Sequence, residues 1–368
     1  MTNHLAESQW CPSLAVWFGL LASLLLMVGG VWDIAWHYTL GRDTFWSPPH
    51  LVLYGGVGVM ALVSLGMVLC TTAGRCAGSG EEPPLVELWG LRAPRGFALA
   101  AMGVLGAVLS APVDEVWHRL FGIDVTIWSP PHLFAIAAAG AIRLGLVVAL
   151  IDEMALAGDA IPSRRLRLSW RGTMLADGVL LVLCSILLGN LLFALGDHEV
   201  LVMSRAPALY ALLASLAVPV VLVAGVRTLG RIGAAVGIVL VLLVFQALLR
   251  AGLRAAGFVL PPPWPLWPLY MVPAAVMDGW YGLVCRRPYT MRHDVVAGLL
   301  FAAGFVGVIY GETGSRSGVV WSFDGLLLTT LLAGITGAAS GWFGAQLYRR
   351  LLTVGSAAGQ REHRKSRR

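Results

Sequence analysis

The chain has 368 residues, of which 58% are hydrophobic and 12% charged, with a formal net charge of +6 and a mean hydropathy of +0.77. Soluble domains carry about 25% charged residues, so this composition excludes both a soluble globular domain and a disordered chain. It points to an all-α, polytopic membrane protein.

The first residues, MTNHLAESQWCP, lack a basic n-region, so the first apolar run is expected to stay as a membrane helix and not to leave as a signal peptide. Apolar runs of the length that crosses a ~30 Å hydrocarbon core lie at about 13–37, 49–73, 95–119, 131–152, 173–196, 206–226, 232–254, 266–285, 294–312 and 324–348, which makes ten spans. The basic stretch 153–172 reads as a seam between a four-helix membrane module, 1–152, and a six-helix membrane module, 173–348. Residues 349–368 form a basic tail, expected to lie on anionic lipid. Five cysteines show neither CxxC spacing nor an even framework, and read as packing residues or free thiols.

Basic residues set the orientation. With the N-terminus on one side, that side collects 19 arginines and lysines against 6 on the other, with Arg143 inside a span. Positive charge stays cytoplasmic, so the protein is expected in the inner cell membrane with both termini in the cytoplasm and the loops of the repeated phrase on the periplasmic or extracellular side. The partners implied are the lipid bilayer and other membrane subunits. The positive charge follows from this topology and implies no nucleic-acid partner.

One phrase occurs twice. DIAWHYTLGRDTFWSPPHL runs from Asp33 to Leu51, and DEVWHRLFGIDVTIWSPPHL from Asp114 to Leu133. With one gap the copies agree at 11 of 19 aligned positions. They occupy the outer corners between spans one and two and between spans three and four, so the helical hairpin reads as duplicated about an axis along the membrane normal. Asp33 and His37, and likewise Asp114 and His118, are four residues apart and share a helix face. Gly41 and Gly122 fit the helix end, where a positive φ is often needed. Ser47 and Ser129 suit N-caps, with Pro48 and Pro130 at the first helical position. His50 and His132 then fall in the first turn of the following helix. Each corner thereby gathers one carboxylate and two imidazoles, a donor set that suits non-haem iron, copper or catalytic zinc. Asp43, Asp124 and Glu115 are candidates for additional ligands. A corner clamped only by hydrogen bonds is the structural alternative.

The spacing Asp33-x3-His37-x12-His50 resembles the metal-binding pattern in the C subunit of the copper membrane monooxygenases, the particulate methane and ammonia monooxygenase family. That resemblance covers about 20 residues per copy. It implies copper at Asp33, His37 and His50 near the outer face, and an oxidoreductase or monooxygenase-like activity. The second copy departs from it, with thirteen residues between His118 and His132.

Arg143, Asp177 and Asp278 lie within spans and are expected to form an intramembrane Arg–Asp cluster in the cytoplasmic half. Ionisable groups at such depth are costly and often functional. Asn190 and Gln246 read as interhelical hydrogen-bonders, Asp197, His198 and Glu199 as a solvated loop, and GETGSRSG, with Glu312 and Arg316, as an outer turn. The leading function is a membrane metalloprotein with one dinuclear or two mononuclear Asp/His sites. The alternative is a transporter or permease in which the same sets receive substrate and the Arg–Asp cluster continues the path.

Overall fold

The computed structural model describes residues 13–41, 44–75, 83–122, 127–156, 175–195, 206–260, 266–285, 290–316 and 321–365. Among them are ten helices: α1 (Leu14–Leu40), α2 (Pro48–Thr72), α3 (Arg95–Phe121), α4 (Pro130–Leu156), α5 (Leu175–Ala194), α6 (Pro207–Leu229), α7 (Ala234–Ala255), α8 (Leu266–Val284), α9 (Met291–Arg316) and α10 (Phe323–Lys365). Nine of these are long and apolar enough to cross a membrane, and α8 occupies the eighth expected span. The architecture is all-α and of the polytopic membrane type.

Three local features depart from the sequence reading. The segment between α2 and α3 holds a small antiparallel hairpin, β1 (Leu85–Leu88) with β2 (Leu91–Pro94). Its two-residue turn places Trp89 and Gly90 at φ +53° and +81°; positive φ at both positions matches the right-handed strand twist. The expected turn at GETGSRSG is partly helix, because α9 runs through Glu312 to Arg316. Cys70 is disulfide-bonded, whereas Cys184 and Cys285 are buried free thiols.

Glycine sets how closely the first helices approach. A Cβ on Gly96 would stand 2.4 Å from the Ala149 backbone N, and one on Gly145 would stand 2.6 Å from the Gly96 carbonyl. A Cβ on Gly103 would lie 2.7 Å from the Ala138 carbonyl. The α3 and α4 backbones therefore touch, the small-residue contact that membrane helices use in place of a hydrophobic driving force. One apolar core runs from Val16 and Leu26 of α1 through Ile142 and Leu146 of α4 to Phe301 and Ala345 in the later helices. By contrast, Leu62, Leu65 and Leu69 of α2 and Met102, Leu105 and Leu109 of α3 point outward, as lipid-facing side chains do.

The ends opposite the corners are pinned by ion pairs. Arg95 of α3 makes a two-pronged contact with Asp152 of α4 and also donates to the Leu351 carbonyl of α10 at 2.5 Å. Ser13, the N-cap of α1, donates through its hydroxyl to Glu153 at 2.5 Å.

Candidate metal centre

Each corner is built by a helix end, a short loop and a helix start. α1 and α3 both stop on glycine in the positive-φ region, Gly41 at +80° and Gly122 at +83°. Their amides close onto the His37 and His118 carbonyls at 3.1 and 3.0 Å. The same glycines return a carbonyl to the ring of the same histidine. His37 Nδ1 lies 3.0 Å from Gly41 O, and His118 Nδ1 lies 3.2 Å from Gly122 O. His50 Nδ1 is likewise 3.0 Å from Thr44 O. A carbonyl only accepts, so Nδ1 carries the proton in each of these three rings. With Nδ1 so engaged, Nε2 is the ring nitrogen left to face a ligand, as in metal-bound histidines.

The Nε2 atoms face the aspartates. In the second corner, Asp114 stands 3.3 Å from His118 Nε2 and 3.7 Å from His132 Nε2. In the first, Asp33 stands 3.3 Å from His50 Nε2 and 3.8 Å from His37 Nε2. Asp114, His118 and His132 offer ligand atoms that all lie within 4.8 Å of one another, and this is the metal-capable group found among the described residues. The compact set is thus the copy that departs from the monooxygenase spacing. Each corner also holds a buried hydroxyl oxygen without a hydrogen-bond partner, Ser47 Oγ in one and Ser129 Oγ in the other.

The serines sit at the expected N-cap positions, yet no cap bond from the Ser47 hydroxyl forms. Pro48 and Pro49 remove the first two amide donors of α2, which leaves that hydroxyl little to accept from. Backbone bonding closes the turn instead, from Leu51 N to Ser47 O at 3.1 Å and from Leu133 N to Ser129 O at 3.0 Å. The residue types needed for a cation are present: two imidazole nitrogens, a carboxylate and an orphaned hydroxyl oxygen. The donor set fits a first-row transition metal.

The two corners have different surroundings. Trp32 and Trp36, which flank Asp33, both pack on Phe258 beyond α7, at 5.9 and 6.0 Å between ring centroids. Thr39 Oγ1 accepts from Val259 N at 2.8 Å. His50 lies beside Tyr54, with ring centroids 6.0 Å apart, where the second copy has Ile136. In the second corner Trp117 packs at a tilt against Phe121, and Trp128 donates to the Ala194 carbonyl at the end of α5.

Glu115 does not join the cluster; it pairs with Arg119 at 2.8 Å on the exposed side of α3. Asp43 and Asp124, and also Asp197, His198 and Glu199, lie outside the described residues. The expected Arg–Asp cluster does not assemble. Arg143 bonds Asn190, Asp177 pairs with Arg231 at 2.9 Å, and Asp278 accepts from Val236 N at the start of α7 at 2.8 Å. Helical counting gives depth but not azimuth, and each group turns toward a different neighbour. Asp294, which the sequence did not single out, is fully buried between Arg227 of α6 and Tyr281 of α8. Its position at a span edge concealed this.

No family model, curated protein or solved structure matches the chain.

Proposed function

We propose that the protein is an integral membrane metalloprotein that holds a transition metal at its Asp/His corners, with copper the preferred ion and iron or zinc as the alternatives. One observation carries this reading. At the second corner, Asp114, His118 and His132 bring their ligand atoms within 4.8 Å of one another, with the His118 ring held by its Nδ1 so that Nε2 faces the carboxylate. Unprotonated Nε2 atoms and a carboxylate are all electron-pair donors. Their convergence is satisfied by a cation, a metal ion or a proton, shared between them.

His118, His132 and Asp114 would hold one ion, and His37, His50 and Asp33 a second. The likeness of the first spacing to the copper membrane monooxygenases supports copper and an oxidoreductase role. A bound metal would supply Lewis-acid or one-electron chemistry at the corner. The chain's own part is to fix the ring tautomers through Gly41, Thr44 and Gly122, and to place the aspartates beside them. The transporter alternative needs Arg143, Asp177 and Asp278 along one path, and these three face different partners.

Two signals bear on which side the corners face, and they oppose each other. The arginine distribution puts the corners outside, whereas the disulfide at Cys70 lies at the far end of α2, and disulfides persist in oxidising compartments. We follow the arginines, because that asymmetry sums over 25 side chains, 19 against 6.

The test is elemental analysis of the purified full-length chain. Wild type is expected to retain metal through dialysis, and His118→Ala is expected to lose the metal of the second corner while His37→Ala loses that of the first. Identical metal content in wild type and the double variant would overturn the reading.

A further inference from the structure

Arg143 lies near the middle of α4 and is 4% exposed. Its Nη1 donates to Asn190 Oδ1 of α5, and its Nε is buried without a hydrogen-bond partner. Acids buried elsewhere in the bundle are engaged with other partners: Asp152 with Arg95, Asp177 with Arg231, Asp294 with Arg227, and Asp278 with the α7 amide end. Among the described residues, no carboxylate forms an ion pair with Arg143. A guanidinium does not deprotonate in a protein, so a full positive charge stands inside the bundle. Leaving such a charge uncompensated is strongly destabilising.

The surroundings are built for polarity at this one level. Asn190, itself buried, donates through Nδ2 to the Ile136 carbonyl at 3.1 Å. Gly140 leaves it room, since a Cβ there would stand 3.0 Å from Nδ2. On α1, Gly19 packs against Leu146. Ser23, one turn further on, shares that face. The Ser23 hydroxyl is fully buried and has no partner. One more turn along α1, Met27 reaches Gly189, the neighbour of Asn190. α4 and α5 thus hold a guanidinium whose Nε is unsatisfied, and the face of α1 that packs on α4 carries an unsatisfied hydroxyl, all within the buried interior.

We propose that Arg143, flanked by Ser23 and Asn190, is an internal binding site for a small monovalent anion of the carboxylate type. One cation calls for one negative charge. With Nη1 taken by Asn190, the remaining guanidinium edge is the planar fork that matches two oxygens side by side. Ser23 supplies an additional O–H donor, and the apolar walls strengthen the attraction by excluding water. Intramembrane ionisable residues of this kind mark ligand sites. The site is independent of any metal at the corners.

The experiment uses the full chain in detergent, with formate as the probe and gluconate replacing it at constant ionic strength. A ligand that binds the folded state raises its melting midpoint. The expected result is a saturable rise with formate, a smaller one with chloride and none with gluconate. Arg143→Gln keeps a donor for Asn190 and removes the charge, and is expected to lose the formate response. Arg143→Lys keeps the charge without the fork, and is expected to respond only at higher formate. Wild-type midpoints that follow total salt alone, or an Arg143→Gln protein that responds as wild type does, would sink the proposal. Should Arg143→Gln not fold, equilibrium dialysis of radiolabelled formate decides. One ion per wild-type chain with weaker binding by Arg143→Lys upholds the site; no retention, or equal affinity in both, overturns it.

Discussion

His37, His50 and His118 are oriented from behind before anything binds in front. Their Nδ1 atoms meet backbone carbonyls of Gly41, Thr44 and Gly122, which fixes ring rotation as well as tautomer. Gly122 serves twice, since its φ of +83° closes α3 and aims its carbonyl back at His118. Alanine at that position is expected to cost about 1 kcal/mol or more through backbone strain. It is also expected to weaken metal binding at the second corner by roughly 10–100-fold, the usual effect of disturbing a ligand's supporting partner. Thermal unfolding and metal titration of Gly122→Ala measure the two effects separately; a destabilised variant with wild-type affinity would assign the carbonyl no part in the site. At this scale the sequence was informative. Asp114, His118, Gly122 and His132 were legible as a set because helical spacing and a glycine stop are local rules. That Glu115 turns away to Arg119 was not, since neighbouring residues on a helix point about 100° apart and only packing selects the inward one.

Among the elements, the α3–α4 pair decides whether the second corner stays compact. Asp114 and His118 come from one helix and His132 from the other, so their separation is set by how closely the two axes run. Gly96, Gly103 and Gly145 bring the backbones into contact. Gly145→Val places methyl groups where a single Cβ would already stand 2.6 Å from the Gly96 carbonyl. It is expected to destabilise the protein by about 1–3 kcal/mol, as overpacking does, and to release metal from the second corner while the first retains it. Metal content of His37→Ala in the Gly145→Val background gives the readout: near-zero metal is expected, and metal equal to that of His37→Ala alone would separate helix spacing from the site. The ten helices themselves were legible as apolar runs, because their length is dictated by the bilayer. The β1–β2 hairpin was not. Its strands are four residues each, too short for a period-2 pattern to stand out between two long spans.

For the whole molecule, the arginine–aspartate pairs between elements lie at the end away from the corners, where Arg95 joins α3, α4 and α10 and Arg231, just after α6, holds Asp177 of α5. The corners are held more simply, by hairpin loops and aromatic packing, and differ from each other mainly in what lies beside them. The hairpin tip at Trp89, 92% exposed, reports the side on which the ion-paired end lies. In a background with the native cysteines replaced, Trp89→Cys is expected to escape a membrane-impermeant maleimide in intact cells and to react once the membrane is opened. Labelling of intact cells would reverse the orientation and put both corners on the cytoplasmic side.

The sequence by itself determined the class, the spans and the two Asp/His corners. Each of these follows from hydrophobic length or from residue spacing within one or two helical turns, quantities that a linear chain carries directly. Only the tertiary structure decided the rest: that the second corner gathers its ligand atoms more tightly than the first, that Arg143, Asp177 and Asp278 part company, and that Arg143 faces Asn190 and not an acid. Those outcomes depend on the rotation of each helix about its own axis and on the glycine contacts that set interhelical distance, and neither is written in the spacing of residues along a single helix.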